Sequence, residues 1–384
     1  MKHTAYIKTA GLILTAISLP FSVTLKTAGI VMAALVLVIE LIRKNERISN
    51  EMISYGFMLL FMASLVSTVF AQNTGRSFNG SMDVLKYVLV FFVSASISDE
   101  DRIKKILWAA YISTTLAAIW GIYHALSINK QLEIHSLGNW NYTSMFLNIM
   151  LASMLSTLLF ADNKGLPGRL ILSAGIATIL IASVMTLSRA SMIGLIVYVA
   201  ILIFSRKQIG RYLLFFAVIF IASILVYKTM WVKLFSIKSM LSRIDMWGHS
   251  IEYFINNPLS GIGLNNFVHT FPMDFPVDPG DTVYDAHSLY FQTASEMGIM
   301  GLVALGLVIT GFIKACVNFN PSDSFGKALR FSAIGAFLII TVTGLLDTTL
   351  HHEHAIAFTM MAGLMLGYKR GQKTDRQKKQ GENH

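Results

Sequence analysis

Long apolar runs recur along the chain and are separated by short polar clusters. Runs of roughly 15 to 25 apolar residues, wound as α-helices, are long enough to cross a membrane. The pattern predicts twelve spanning helices, an even number that leaves both termini on the same side. They are expected at residues 9–24, 27–42, 52–71, 82–98, 106–127, 143–161, 170–187, 190–204, 212–228, 288–313, 330–346 and 355–368.

The first pair of runs is the least certain of these. Thr24, Leu25 and Lys26 divide residues 9–42 into two short apolar segments. Either two separate helices, one long tilted helix or a re-entrant hairpin would satisfy this pattern, and the sequence leaves these alternatives open.

The composition supports a membrane protein. Hydrophobic residues make up 54% of the 384 positions, charged residues only 14%, and the mean hydropathy is +0.60. A soluble domain of this size carries far less apolar surface. We therefore expect an all-α polytopic fold in which residues 1–384 form a single integral membrane domain. The lone cysteine, Cys316, excludes a disulfide framework and a zinc site built on several thiolates.

The distribution of basic residues predicts the orientation. The net charge is +10, and of the 31 Lys and Arg residues, 22 fall on the side of the termini, 8 on the other side, and Lys86 within a span. Basic residues concentrate on the cytoplasmic side of membrane proteins. Both termini are thus predicted to be cytoplasmic, with residues 369–384 as a basic, lipid-facing tail. This placement explains the positive charge without a nucleic-acid partner.

One predicted outer loop, residues 229–286, is much longer than a connector needs to be, and loops of this length are usually functional. Its first half repeats apolar residues between Ile244 and Ile255 at helical spacing. This pattern predicts a short amphipathic helix in the plane of the membrane interface, with Trp247 as an anchor.

The second half of that loop is acidic. Four aspartates lie among prolines, but their spacing fits no known calcium-binding loop. We expect a solvated loop there, without a metal. The four residues are Asp274, Asp278, Asp281 and Asp285.

Three segments on the predicted outer side carry motifs. His287-Ser288 is followed, after nine residues, by Gly298-Ile299-Met300-Gly301; Thr186 to Gly194 contains Arg189; and the helix with Arg243 precedes residues 257–263. Together they resemble the signature of bacterial O-antigen ligases and O-antigen polymerases. The motifs cover residues 170–310, which we interpret as the ligase-like core.

This resemblance implies a transfer reaction at the periplasmic face of the bacterial inner membrane. The donor would be a glycan carried on undecaprenyl pyrophosphate, and the acceptor a sugar of lipid A-core or another repeat unit. It also implies a reaction that needs neither a metal nor another cofactor, in a protein whose further partners are membrane lipids.

The chemistry assigns roles to the motif residues. Arg189 and Arg243 are candidates to bind the pyrophosphate, because guanidinium groups bind phosphate oxygens in bidentate fashion; snorkelling at the interface is the alternative. His287 is the candidate catalytic residue. The helix dipole should favour its neutral form and thus a role as base, although a charged imidazole binding phosphate remains open.

Small residues in the following helix suggest packing. Ala294, Gly298, Gly301 and Ala304 should share one face, which would allow another helix to approach closely and hold His287 at a fixed depth.

The last outer loop holds Asp347 and a cluster from His351 to His354. We expect the cluster to be a solvated turn rather than a metal site. Asp347 is the further candidate for substrate binding, because members of the resembled family often carry an acidic residue near this junction. It would orient either the acceptor or an arginine.

A ligase that adds O-antigen to lipid A-core is the predicted function, in the pathway of lipopolysaccharide biosynthesis and by inverting transfer. A polymerase that joins repeat units is the nearest alternative. A transporter is the second alternative, but transport sites need charged groups in mid-span, and Lys86 is the main exception to spans that otherwise carry almost no charge.

Overall fold

A computed structural model describes residues 2–44, 46, 49–161, 165–205, 238–270 and 285–381. Within these ranges every element is helical, which confirms the all-α class. The helices are α1 (Lys2–Ser18), α2 (Val23–Ile42), α3 (Met52–Val69), α4 (Thr74–Ala95), α5 (Glu100–Ile128), α6 (Trp140–Phe160), α7 (Leu166–Met185), α8 (Arg189–Ser205), α9 (Lys238–Asn256), α10 (Phe267–Thr270), α11 (Leu289–Val317), α12 (Ser324–Thr343) and α13 (His352–Gly381).

Eight of the helices in these ranges are long and apolar enough to cross a membrane: α2 to α7, α11 and α12. Helix α8 is also apolar but has 17 residues. The protein is thus a polytopic membrane protein. The predicted span at 212–228 lies outside the described residues, so the number twelve stays a prediction.

The first two apolar segments form two helices joined by a turn. Ser22 caps α2, accepting a hydrogen bond from the backbone of Leu25. A Cβ placed on Gly29 would lie 2.6 Å from Thr15 Oγ1, so α1 and α2 pack with almost no gap. Residues 9–42 are therefore not one long helix, and the first helix ends at Ser18 rather than residue 24.

Helix α6 is the most enclosed of the candidate spans, packing against α7, α8, α12 and α13. A second tight pair is α3 with α11. A Cβ on Gly56 would lie 2.6 Å from the Val308 nitrogen, and one on Gly311 would lie 2.4 Å from the Ile53 nitrogen.

Helix α11 is broken at Gly298, whose φ of 61° and ψ of −156° are not helical. The freed amide of Ile299 donates to the Pro258 carbonyl at 2.8 Å. A Cβ on Gly298 would lie 2.6 Å from the Leu259 backbone, so glycine is needed both for the dihedral angle and for this contact. The prediction of one continuous face of small residues is therefore wrong, because Gly298 is not helical and lies against the backbone of the loop at residues 258–259.

Candidate active site

His287 lies at the start of α11, in a backbone conformation that is fixed on both sides. Its φ is 46°, in the left-handed region, and its amide donates to Asp285 Oδ1 at 2.7 Å. After it, the Leu289 amide and the Ser288 hydroxyl both donate to the Gly344 carbonyl, at 2.8 and 3.2 Å. These bonds tie the start of α11 to the end of α12 and set the direction of the imidazole.

Two carboxylates face one ring nitrogen of His287. Nδ1 is 3.2 Å from Asp347 Oδ1 and 3.5 Å from Asp285 Oδ1. Asp347 is 2% exposed, and its Oδ2 is buried with no hydrogen-bond partner in the described structure. The site therefore holds an acceptor atom that receives no hydrogen bond from the described residues.

The carboxylates reverse the protonation expected for His287. Burial by itself lowers the pKa of the imidazole, but Asp285 and then Asp347 outweigh burial and raise it to about 9. His287 is therefore an imidazolium at neutral pH. The expectation that the helix dipole keeps it neutral is wrong, because full charges at short range exceed a helix-end partial charge.

Both arginines belong to the same charge cluster. Burial lowers the pKa of Arg243, Asp347 and Asp285 act to raise it, and the positive charge of Arg189 lowers it further. Charges act on one another appreciably only over about a Debye length, so these three groups lie near Arg243. The structure thus brings together all four residues that the sequence singled out, His287, Arg189, Arg243 and Asp347.

A polar clamp in α6 holds the turn that presents Arg189. The Asn148 amide donates to Ser191 Oγ at 2.7 Å in α8, and its carbonyl accepts from Ser183 Oγ at 2.6 Å in α7. These two serines flank the turn, in which Leu187 has a φ of 59°. Asn148 is fully buried, so both ends of the turn are fixed from inside the bundle.

Helix α9 presents Arg243 and is fastened to α11 by apolar contacts. Met246 and Tyr253 are buried in a small cluster with Ile262, Phe267 and Ala286. Trp247 stacks on Phe291, with ring centroids 5.2 Å apart. Trp247 thus packs on α11, and its role as an interface anchor stays a prediction.

The cluster from His351 to His354 is only partly the solvated turn that the sequence suggested, because His352 is exposed but the two residues after it are buried. Glu353 is buried and pairs with Lys26, which lies at the start of α2. Burial, together with the charge of His352, lowers the pKa of His351 to about 3, so that ring is neutral. Glu353 and His354 are covered because α13 begins inside the bundle.

Three ligand groups in the site, those of Asp285, His287 and Asp347, lie within 4.8 Å of one another. Such spacing could hold a metal ion. However, the same carboxylates already face the His287 imidazolium and interact with Arg243, so we assign the group as an ion-pair cluster. Of the loop aspartates, Asp274, Asp278 and Asp281 lie outside the described residues.

Two site residues escaped the sequence analysis. Asp285 was considered only as one of four loop aspartates, although its position two residues before a histidine is typical of a side chain that bonds the following backbone. Tyr142 donates to Asp285 Oδ2 at 3.1 Å from 143 positions away, and no spacing rule links the two.

Comparison with known proteins agrees with this geometry. A family model described as O-antigen ligase matches residues 174–306, a segment that contains Arg189, Arg243 and His287. No curated protein matches the chain. Residues 174–306 of this all-helical polytopic protein are thus similar to the O-antigen ligase family.

Proposed function

We propose that the protein is an O-antigen ligase, which transfers a glycan from undecaprenyl pyrophosphate to lipid A-core. The observation that carries the proposal is one cluster of His287, Asp347, Arg189 and Arg243 at one end of a membrane-embedded helical bundle. We call this the site end. It supplies fixed positive charge where a lipid-borne phosphate at the membrane surface would arrive.

The positive groups suit the leaving group. As the glycosidic bond to phosphate breaks, its electron pair passes to the pyrophosphate, which gains negative charge. Arg189 and Arg243 bind the pyrophosphate oxygens, and the His287 imidazolium donates a further hydrogen bond to them. These three cations do the work that a divalent ion does in many other transferases, so no metal or other cofactor is required.

Asp347 suits the acceptor. The acceptor hydroxyl oxygen attacks the anomeric carbon from the face opposite the pyrophosphate, which inverts the configuration, and loses its proton. The unpartnered Asp347 Oδ2 accepts that proton, while Oδ1 stays beside His287. Asp347 thus binds the acceptor sugar, and His287 takes the phosphate-binding role that the sequence left open.

The distribution of basic residues supports the location. With 22 of the 31 Lys and Arg residues on the side of the termini, the site end faces the periplasm and both termini face the cytoplasm of the bacterial inner membrane. The long loop, residues 229–286, then lies on the periplasmic side, where both lipid substrates are accessible.

A deletion strain tests the proposal. Loss of the gene should remove all O-antigen from lipid A-core and leave polymerised glycan on the carrier lipid, as seen by lipopolysaccharide gels. A polymerase catalyses the same chemistry on another acceptor, and its loss would instead leave a single repeat on the core. A single repeat on the core would show that the protein is a polymerase and not a ligase.

Complementation tests the site. His287→Ala should fail to restore capped lipopolysaccharide, whereas the matched variant His249→Ala should restore it. His249 is on α9 and pairs with Glu252 at 3.5 Å. Full capping with His287→Ala would remove His287 from the mechanism.

A further inference from the structure

Tyr142 stands in the first turn of α6, and local bonds fix its backbone. Asn139 caps the helix, its side-chain oxygen accepting from the amides of Asn141 and Tyr142 at 2.9 and 3.0 Å. Gly138, with a φ of 89°, lies against the ring; a Cβ there would be 3.0 Å from a Tyr142 ring carbon. The residues just before α6 thus fix the position of this tyrosine.

Three imidazoles hold the ring from the other side. The centroid of the Tyr142 ring is 4.6 Å from that of His351, edge to face, and 5.4 and 5.5 Å from those of His352 and His354. These rings lie at the beginning of α13. Because His354 is buried and His351 is half-buried beside the ring, the phenol has little freedom to turn away.

The phenol hydroxyl completes the bonding of Asp285. It donates to Oδ2 at 3.1 Å, while Oδ1 accepts from the His287 amide at 2.7 Å and lies 3.5 Å from His287 Nδ1. Each carboxylate oxygen is therefore held by a different donor. Rotation of the carboxyl group, which would move Oδ1 away from the imidazole, has to break one of these bonds.

We propose that Tyr142 is a positioning residue for the transfer reaction: its hydroxyl holds the Asp285 carboxylate in the orientation that keeps Oδ1 against His287. The inference rests on the proposed function, because it assigns Tyr142 a part in the same site. Tyr142 itself acts through Asp285 and does not touch the reacting groups.

Other charged and titratable groups also face this pair. Asp347 and Arg243 act on His287, and His351 and Glu296 interact with Asp285. The test therefore has to isolate the contribution of the Tyr142 hydroxyl from theirs, which a pairwise design achieves.

A double-mutant cycle provides that design. In purified protein with the lipid-linked donor, Tyr142→Phe should lower kcat roughly tenfold, the order expected for one hydrogen bond to a charged group, and leave the donor KM unchanged. In an Asp285→Asn background the same substitution should have almost no further effect on kcat, because the bond that it removes is already altered.

Tyr111→Phe is the matched control. This buried tyrosine also bonds α6, through the Ser153 and Thr157 hydroxyls at 2.8 Å each, which lie about three and four helical turns beyond Tyr142. It should be additive with Asp285→Asn. Equal, additive losses of kcat for both tyrosine variants would reduce Tyr142 to a structural residue and overturn the inference.

A titration that needs no substrate separates this inference from the proposed function. With ¹³C-labelled histidine in nanodiscs, and His287→Ala to assign the signal, Tyr142→Phe should lower the pKa of His287 in the same direction as Asp285→Asn. Tyr111→Phe should leave it unchanged. An unchanged titration with Tyr142→Phe would contradict the positioning role. If Tyr142→Phe shifts the titration but His287→Ala keeps full transfer activity, only the proposed function is contradicted.

Discussion

His287 is best understood as a cation held in place by two anions. The carboxylates of Asp285 and Asp347 both approach Nδ1, which leaves Nε2 as the ring nitrogen directed away from them. An imidazolium with Nδ1 paired and Nε2 directed away from the carboxylates is suited to donating a hydrogen bond to a phosphate oxygen. Such a residue stabilises a leaving group rather than removing a proton.

The pH dependence of the reaction follows from this charge state. Because the pKa of His287 is raised to about 9, the transfer rate should stay level through neutral pH and fall above about pH 9 as the imidazolium is lost. The linked contribution to folding stability has the same sign: it is complete below about pH 6.5 and lost as the pH rises through 9. A rate that instead rises up to pH 9 would identify His287 as the base.

Metal independence is a second prediction at the residue scale. Transfer by purified protein should survive treatment with EDTA, because three cationic side chains already face the proposed phosphate. The control is the chelated enzyme supplied again with Mg²⁺ or Mn²⁺. Loss of activity with EDTA and its recovery with either ion would make Asp285, His287 and Asp347 metal ligands.

The sequence indicated the residues of the proposed site more readily than their chemistry. Motif spacing was sufficient to single out His287, Arg189 and Arg243. The charge on His287 depends on Asp285, two positions before it, and on Asp347, 60 positions further along the chain. Motif spacing does not say how closely either carboxylate approaches the ring, so the charge could not be predicted. The contribution of Tyr142 likewise depends on contacts between α6, α13 and residue 285 that no local pattern encodes.

Helix α11 owes its break to a single residue, Gly298. Its positive φ turns the helix so that residues 295 and 296 offer their carbonyls to the amides of Ile262 and Gly263, at 2.9 and 3.1 Å. The segment that follows α9 is therefore pinned to the helix that follows His287. Arg243 and His287 are held at a fixed relation by this joint.

Two glycines of α11 allow a matched test of the joint. Gly298→Ala should destabilise the protein and reduce transfer, because its Cβ meets the Leu259 backbone at 2.6 Å in a conformation that alanine avoids. Gly306→Ala, with nothing within 4 Å, should be neutral or stabilise by up to about 1 kcal/mol. Thermal unfolding in detergent and transfer assays measure both. Equal stability of the two variants would show that the joint is not tight.

The side of α9 that faces away from the protein is apolar, although Trp247 of the same helix packs on Phe291. Ile244, Ile251 and Ile255 are between 48% and 67% exposed, and Leu259 and Ile299, which the bond from the Ile299 amide to the Pro258 carbonyl brings close together, extend this exposed apolar stripe. We expect this stripe to lie in the acyl region of the membrane. A nitroxide on Ile251→Cys in nanodiscs should be more accessible to oxygen than to a nickel chelate, and one on Glu252→Cys the reverse.

The native Cys316 is buried, so the labels report only the new positions. Preferential access of the nickel chelate at residue 251 would place α9 in water and remove the membrane contact.

Helices were predicted well where apolar residues are continuous, and poorly where a helix begins with polar turns. Helix α4 was expected from residue 82 but begins at Thr74. Asn73 caps it, accepting from the Arg76 amide at 3.1 Å, and its first turns carry polar residues that a search for apolar runs rejects. Polar residues there bond the loop after α9, as when Ser77 donates to the Leu264 carbonyl at 2.9 Å.

At the scale of the whole molecule, ion pairs fasten both ends of the bundle. At the site end, Lys26 of α2 pairs with Glu353 of α13, both almost fully buried. At the opposite end, Lys8 pairs with Glu40 at 2.6 Å, and Lys369 with Glu51 at 2.9 Å. The first and third of these pairs join α2 and the start of α3 to α13, the helix that follows Asp347, and the second joins α1 to α2.

Breaking the Lys26 to Glu353 pair should be costly. Lys26→Met or Glu353→Met alone leaves a buried charge without its partner, and we expect a loss of about 3–5 kcal/mol. The double variant should recover much of this stability, because neither charge remains. Thermal unfolding in detergent measures the stability of the single and double variants. The exposed pair Lys104 and Glu100 is the control, for which the loss should stay below about 1 kcal/mol. Single and double variants that unfold alike would contradict this account.

The two residues of this pair are synthesised at very different times. Lys26 leaves the ribosome 327 residues before Glu353. At a synthesis rate of about 5–20 residues per second, Glu353 is made roughly 16 to 65 s after Lys26. During that interval its ammonium group has to stay hydrated at the membrane surface, so α1 and α2 remain shallow in the bilayer. Their final seating is then among the last steps of assembly, and a truncated chain that stops before α13 should leave this hairpin open to degradation.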